Sequence, residues 1–154
     1  MVWGSCLLMS VLKIDWKLLW LVEKYPDVNT PNLTRWWFCW NDYQLYDTDT
    51  LIQTMGYENV SEIEQSGVYI EFPRTDMVPI EKEFIKKQGP RVEKQIDFML
   101  THWKKQAYCY TLALLMYTEV NDPLDEWGKY KDKYCRQVLE NWCRENGIPY
   151  QFVD

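Results

Sequence analysis

The sequence predicts an α+β fold: a small antiparallel sheet with several helices packed on one side and an amphipathic helix near the C-terminal end. Three observations carry this. The stretch GVYIEFP at 67–73 alternates β-branched and aromatic residues with others and stops at a proline, a strand pattern. The aromatic run LTRWWFCW at 33–40 is separated by Asn41-Asp42 from YQLYD, which reads as a hairpin. Leu124, Trp127, Lys131, Tyr134, Val138, Leu139 and Trp142 follow a helical period up to Asn146-Gly147, where glycine can take the left-handed C-terminal conformation.

Along the chain, Val11, Ile14, Leu18, Leu19 and Val22 recur at three- and four-residue spacing and predict a helix over 11–22 capped by Ser10. Prolines at 26 and 31 mark a loop after it. Residues 48–66 are too irregular for one long element and predict short helical turns. Pro79 in a first turn, with Glu81 and Glu83 early and Lys86 and Lys87 late, predicts a helix whose charges complement its dipole, stopped by Gly89-Pro90. Val92, Ile96, Met99, Leu100 and Trp103 mark another amphipathic helix, and YCYTLALLMY at 108–117 a buried one. In the C-terminal helix, Trp127, Tyr134, Val138 and Trp142 are the expected buried face. The tail YQFV fits either a short strand or an extended arm. With no internal repeat and no linker, one domain over 1–154 is expected, residues 1–9 being a non-native or flexible start if Met9 is the initiator.

The 154 residues suffice to remove roughly two thirds of the unfolded surface from water. Nine Trp, 11 Tyr and 5 Phe supply far more rings than usual, and such rings serve both cores and protein interfaces. Cys6, Cys39, Cys109, Cys135 and Cys143 are odd in number and form no C-x-x-C pair, so free packing thiols in a reducing cytoplasm are expected rather than a disulfide framework or zinc ribbon. The apolar start lacks the basic leader and full apolar run of a secretory signal, and no stretch reaches the roughly 18 apolar residues of a membrane span. A cytoplasmic location is the expectation.

Chemical motifs are missing. The sequence contains no phosphate-binding glycine loop, dinucleotide fingerprint, nucleophile elbow or paired-histidine zinc helix, and no cofactor is expected. His102 is the only histidine and has no cysteine placed beside it in sequence. Asp42, Asp47 and Asp49 carry oxygen ligands suited to a hard cation, which leaves a metal-dependent hydrolase as the alternative function, but aspartates at hairpin ends and helix starts more often satisfy backbone donors.

Charge is more informative. The net charge is -6, and residues 41–76 hold eight acidic groups against Arg74 alone. A negative domain repels a phosphate backbone, so nucleic-acid binding is disfavoured. The block instead predicts a surface for a basic protein, formed by Asp42, Tyr43, Tyr46, Asp47, Asp49, Tyr57, Glu58, Glu62 and Glu64, with carboxylates steering the encounter and rings anchoring it. Trp36, Trp37 and Trp40 are the second candidates for an interface. The function expected is a non-catalytic protein-binding module, most concretely an immunity or antitoxin-like inhibitor of a basic partner such as a nuclease toxin.

Three segments carry a family likeness: the aromatic hairpin from Trp36-Trp37-Phe38 to Asp47, the run VYIEFPRTD leading into IEKEFI, and EWGKYKDKYCRQVLENWCRENGI at the C-terminal end. Over 33–148 this pattern loosely resembles uncharacterised protein family 0158, small bacterial proteins of unknown activity. Residues 103–116, WKKQAYCYTLALLM, depart from the glycine-rich approach to a short aromatic-basic helix expected there. The resemblance implies a bacterial cytoplasmic domain and assigns no residue a role.

Overall fold

A computed structural model describes residues 10–24, 34–102 and 123–153. Along the chain these form β1 (Leu12–Ile14), α1 (Trp16–Val22), β2 (Glu23–Lys24), β3 (Trp36–Cys39), β4 (Leu45–Asp47), α2 (Thr48–Gln53), α3 (Val60–Gln65), β5 (Tyr69–Glu71), β6 (Thr75–Asp76), α4 (Val78–Lys87), α5 (Pro90–His102), α6 (Pro123–Asn146) and β7 (Tyr150–Phe152). The fold is mixed α+β, with a three-stranded antiparallel sheet and a long C-terminal helix. Internal contacts divide the chain into two units, one of residues 1–22, 33–73 and 139–154, the other of 23–32 and 74–138.

In the first unit the sheet runs β4-β3-β5, and β3 is its central strand. Trp37 pairs with Tyr46 and Glu71, Phe38 with Leu45 and Ile70, and Cys39 with Tyr69. Because side chains alternate across a strand, Trp37 and Cys39 point to one face and Phe38 to the other. All three are buried, so the sheet needs cover on both faces. On the first face Trp37, Cys39 and Tyr69 form a core with Leu51 of α2 and Ile63 of α3. On the second, Trp142 of α6 meets Phe38 and Phe72 edge-on, with ring centroids 5.9 and 5.4 Å apart. The helical layer expected on one side is thus extended to both, as three successive buried residues on a central strand require.

The short helices have local causes. Asp47 accepts the Thr50 backbone N–H at 2.7 Å and caps α2, while Asn59 accepts that of Glu62 at 2.9 Å and caps α3. The turn between β3 and β4 places Tyr43 at φ 57°, an uncommon left-handed position for a side-chain-bearing residue. Its ring packs against Phe38 with centroids 5.0 Å apart.

The expected helix over 11–22 is shorter at its start. Residues 12–14 instead form β1, which runs parallel to β7 in the register Leu12↔Tyr150 to Ile14↔Phe152. Leu12 and Ile14 are buried and Lys13 exposed, an alternation that satisfies a strand as well as the helical spacing satisfies a helix. Asp15, not Ser10, caps α1, its Oδ1 accepting the backbone N–H groups of Lys17 and Leu18 at 3.0 and 3.1 Å. The tail takes the strand option. Gly147 has φ 66°, and the Ile148 N–H donates to the Cys143 carbonyl at 2.8 Å, closing α6 in the six-to-one pattern that glycine permits.

In the second unit Phe84 of α4 packs against Trp127 and Tyr130 of α6. Lys131 reaches Glu23 at 3.2 Å, and β2 pairs in parallel with β6. The buried stripe of α6 differs in phase from the expected one. Trp127, Cys135, Leu139 and Cys143 are buried, Val138 and Trp142 are half-buried, and Tyr134 is 40% exposed. Four-residue steps from Cys135 through Leu139 to Cys143 keep one face, whereas Tyr134 stands about 100° away from Cys135. The thiols lie inside because they stand on that face, while Tyr134 lies off it. The side chains of Met99, Leu100, His102 and Leu124, and the expected helix over 108–117, lie outside the described residues.

Replacing Trp142 by alanine is expected to cost about 3 kcal/mol in denaturant unfolding, near the lower end of the range for large aromatic truncations because the ring is half-buried. Unchanged stability would contradict its role as cover for the second face. Cys39, Cys135 and Cys143 are free and buried. Burial pushes the Cys143 thiol up to about 11, and burial followed by the Glu23 charge pushes Cys135 up to about 12. At pH 8 the native protein should therefore alkylate at Cys135 and Cys143 at least about 100-fold more slowly than after unfolding. Labelling followed by mass spectrometry measures this, and equal native and unfolded rates would contradict it.

Candidate functional site

The acidic segment, 41–76, begins in the β3–β4 turn, continues through α2, α3 and β5, and ends at Asp76 of β6. From 41 to 73 it contains no lysine or arginine. Leu51 and Ile63 anchor α2 and α3 on the sheet, leaving Asp49, Glu58, Glu62 and Glu64 exposed to solvent, with Asp42 exposed in the turn. Short helices pinned by one buried residue each turn their acidic side chains outward.

The interspersed rings behave differently. Tyr57 and Tyr46 meet Tyr69 edge-on at 5.6 and 6.3 Å, and Tyr43 meets Phe38. Tyr43, Tyr46 and Tyr57 are half-buried. Their apolar faces are used within the first unit, and the expected partner-binding set divides into the exposed carboxylates of Asp42, Asp49, Glu58, Glu62 and Glu64, the half-buried cap Asp47, and structural rings. Trp37 is fully buried, its indole N–H donating to Thr48 Oγ1 at 2.9 Å, and is no candidate for an interface.

Asp42 and Asp47 serve the backbone. Asp42 Oδ1 accepts the Gln44 N–H at 3.0 Å and Oδ2 accepts the Tyr46 hydroxyl, while Asp47 caps α2. Burial raises the Asp42 pKa, but the Tyr46 and Gln44 hydrogen bonds outweigh it and hold the carboxyl below its ordinary range. The same bond, with burial and the Asp42 charge, pushes Tyr46 up to about 12. Among the described residues no three His, Cys, Asp or Glu side chains gather as a metal-binding group. The three aspartates of the hydrolase alternative are divided between turn, cap and helix surface.

A cation from outside the block moderates it. Arg35 grips Glu71 through Nε and Nη2, both at 2.7 Å, and reaches Glu64 at 3.3 Å. Its guanidinium lies over the Trp37 ring, 4.9 Å from the centroid. Glu64 therefore has an internal partner. Asp49 and Glu58 extend beyond this pair, and Glu62 accepts the Glu58 N–H at 3.1 Å.

The first unit also contains a groove of about 920 Å³, bordered by β1, α1, Trp36 and the β3–β4 turn. Trp16 and Trp20 line it and are 68% and 55% exposed. Sequence reasoning missed them by assigning 11–22 only a buried face. The signal was present in the spacing, since residues four apart share a helix face and neither tryptophan belongs to the apolar set of Val11, Ile14, Leu18, Leu19 and Val22.

No family model, curated protein or solved structure matches the chain. Among the described residues no helix is long and apolar enough to cross a membrane.

Tyr46→Phe is expected to raise the Asp42 pKa, because the carboxylate loses a donor that favours its charged form. With its folded pKa depressed, Asp42 contributes stability above its unfolded pKa, and that contribution is lost as pH falls through the folded value. The variant should accordingly lose stability relative to wild type at neutral pH, with the difference shrinking in acid. Carboxyl-carbon NMR titration and unfolding at pH 7 and pH 3 measure both effects, and an unmoved Asp42 titration would contradict the coupling.

Proposed function

We propose that this chain is a non-catalytic protein-binding module, an immunity or antitoxin-like inhibitor that engages a basic partner through the exposed carboxylates of 41–65. The supporting observation is the lack of any lysine or arginine from 41 to 73, together with the outward placement of Asp49 on α2, Glu62 on α3 and Glu58 in the loop between them, both helices being packed on the sheet. Such a surface accelerates encounter with a positively charged protein at low salt and repels nucleic acid. The tyrosines Tyr43, Tyr46 and Tyr57 hold the platform rigid, which lowers the ordering cost of binding. A nuclease toxin, basic because it binds phosphate, is the partner class that fits, and the reading assumes a bacterial cytoplasm. The resemblance to uncharacterised protein family 0158 adds no residue role.

The test is a pulldown for a stoichiometric basic protein partner, any product of a neighbouring reading frame included, followed by surface plasmon resonance across a salt series. Asp49→Lys with Glu58→Lys leaves the Arg35 pair and both helix caps intact. It changes the net charge from -6 to about -2 and is expected to slow association about tenfold at low salt, with a flatter salt dependence. A folded variant with unchanged association rate and salt slope would remove the acidic surface from the interface.

A further inference from the structure

The groove beside α1 has a different chemistry from the acidic layer. Trp16 and Trp20 stand one helical turn apart, about 6 Å along the axis, and both indoles are largely in water. Exposed paired indoles are costly to leave in water and have flat, electron-rich faces. Charges along the border cancel: Lys13 and Lys17 stand against Asp15 and Asp42. Asn41 and Gln44, both exposed, add amides that donate and accept hydrogen bonds at the same rim.

We infer that this groove binds a neutral oligosaccharide, with Trp16 and Trp20 as stacking platforms. One face of a pyranose ring presents C–H groups made electropositive by adjacent oxygens, and these suit the negative face of an indole. Sugar hydroxyls both donate and accept, which matches the amides of Asn41 and Gln44 and the carboxylate of Asp42. The Asp42 carboxylate is already oriented by the Gln44 N–H and the Tyr46 hydroxyl, so a sugar meets an acceptor held in place. Balanced charge favours an uncharged ligand over a phosphate or polyanion. A volume of about 920 Å³ exceeds one sugar ring and fits a short chain. Lys17 Nζ lies 5.7 Å from the Trp16 ring centroid, a loose contact that a stacked sugar can displace.

This inference shares only Asp42 with the acidic surface, and because neither test substitutes that residue, each reading can fail without the other. The experiment is tryptophan fluorescence and isothermal titration of the intact chain with cellohexaose, chitohexaose and maltohexaose at low and high salt. The expected result is saturable binding of at least one, with affinity unchanged by salt. Trp16→Ala and Trp20→Ala should each weaken binding about tenfold or more, the circular dichroism spectrum remaining that of wild type because both side chains are exposed. Asn41→Ala with Gln44→Ala, which leaves the indoles in place, should also weaken it. No saturation by any of the three at their solubility limit overturns the inference. So does binding that survives in the Trp16→Ala, Trp20→Ala double variant, or saturable binding of a proline-rich decapeptide by a protein that takes none of the sugars.

Discussion

The first unit depends on the burial of Trp37-Phe38-Cys39 in succession on a central strand. A strand buried on one face alternates, so three successive buried residues demand cover above and below. Trp37 sets the terms on its side. Its indole N–H must be satisfied, and Thr48 does so while its own hydroxyl donates to the Arg35 carbonyl at 3.1 Å. Because Thr48 is also the first residue of α2, the bond that satisfies the tryptophan fixes where that helix begins. Asp47 then caps the same helix from the preceding position.

This arrangement decides which side chains remain available for function. Rings at 43, 46 and 57 are drawn into packing by the large buried aromatics beneath them, while carboxylates on short helices have no apolar reason to turn inward. The segment is therefore acidic outside and aromatic beneath. Burying the tyrosines also avoids placing many exposed rings on a charged surface, where they would promote nonspecific association.

Local pattern made much of the fold legible. The hairpin, β5, the proline-started α4, the Gly89-Pro90 break and the glycine closing α6 each rest on residues adjacent in sequence. What could not be read there is nonlocal. β1 exists because residues 150–152, at the far end of the chain, pair with it in parallel; without that partner, the spacing of Val11, Ile14 and Leu18 favours helix. Tyr134 and Cys135 are neighbours on α6, and the spacing of the large apolar residues alone put the tyrosine on the core face, yet the structure buries the thiol and leaves Tyr134 40% exposed. Of the site, the exposed carboxylates were legible from charge, the internal use of the tyrosines was not, and Trp16 and Trp20 were hidden by attention to the buried face of their helix.

The two surfaces differ in how electrostatics is used. On the acidic layer Arg35 is committed to Glu71 and Glu64 at the sheet edge, drawn there by a bidentate fork and by the Trp37 ring beneath it. This leaves the field of Asp49, Glu58 and Glu62 uncompensated by any basic residue of their own segment, which favours long-range attraction of positive charge. At the groove, lysines and aspartates alternate along β1 and the start of α1, so the field is locally cancelled and recognition there must rest on contact between rings and polar groups. A charged macromolecule is attracted by the first kind of surface from a distance, whereas a neutral ligand gains nothing from it. The indole pair offers that ligand what the carboxylates cannot, a flat apolar area to cover.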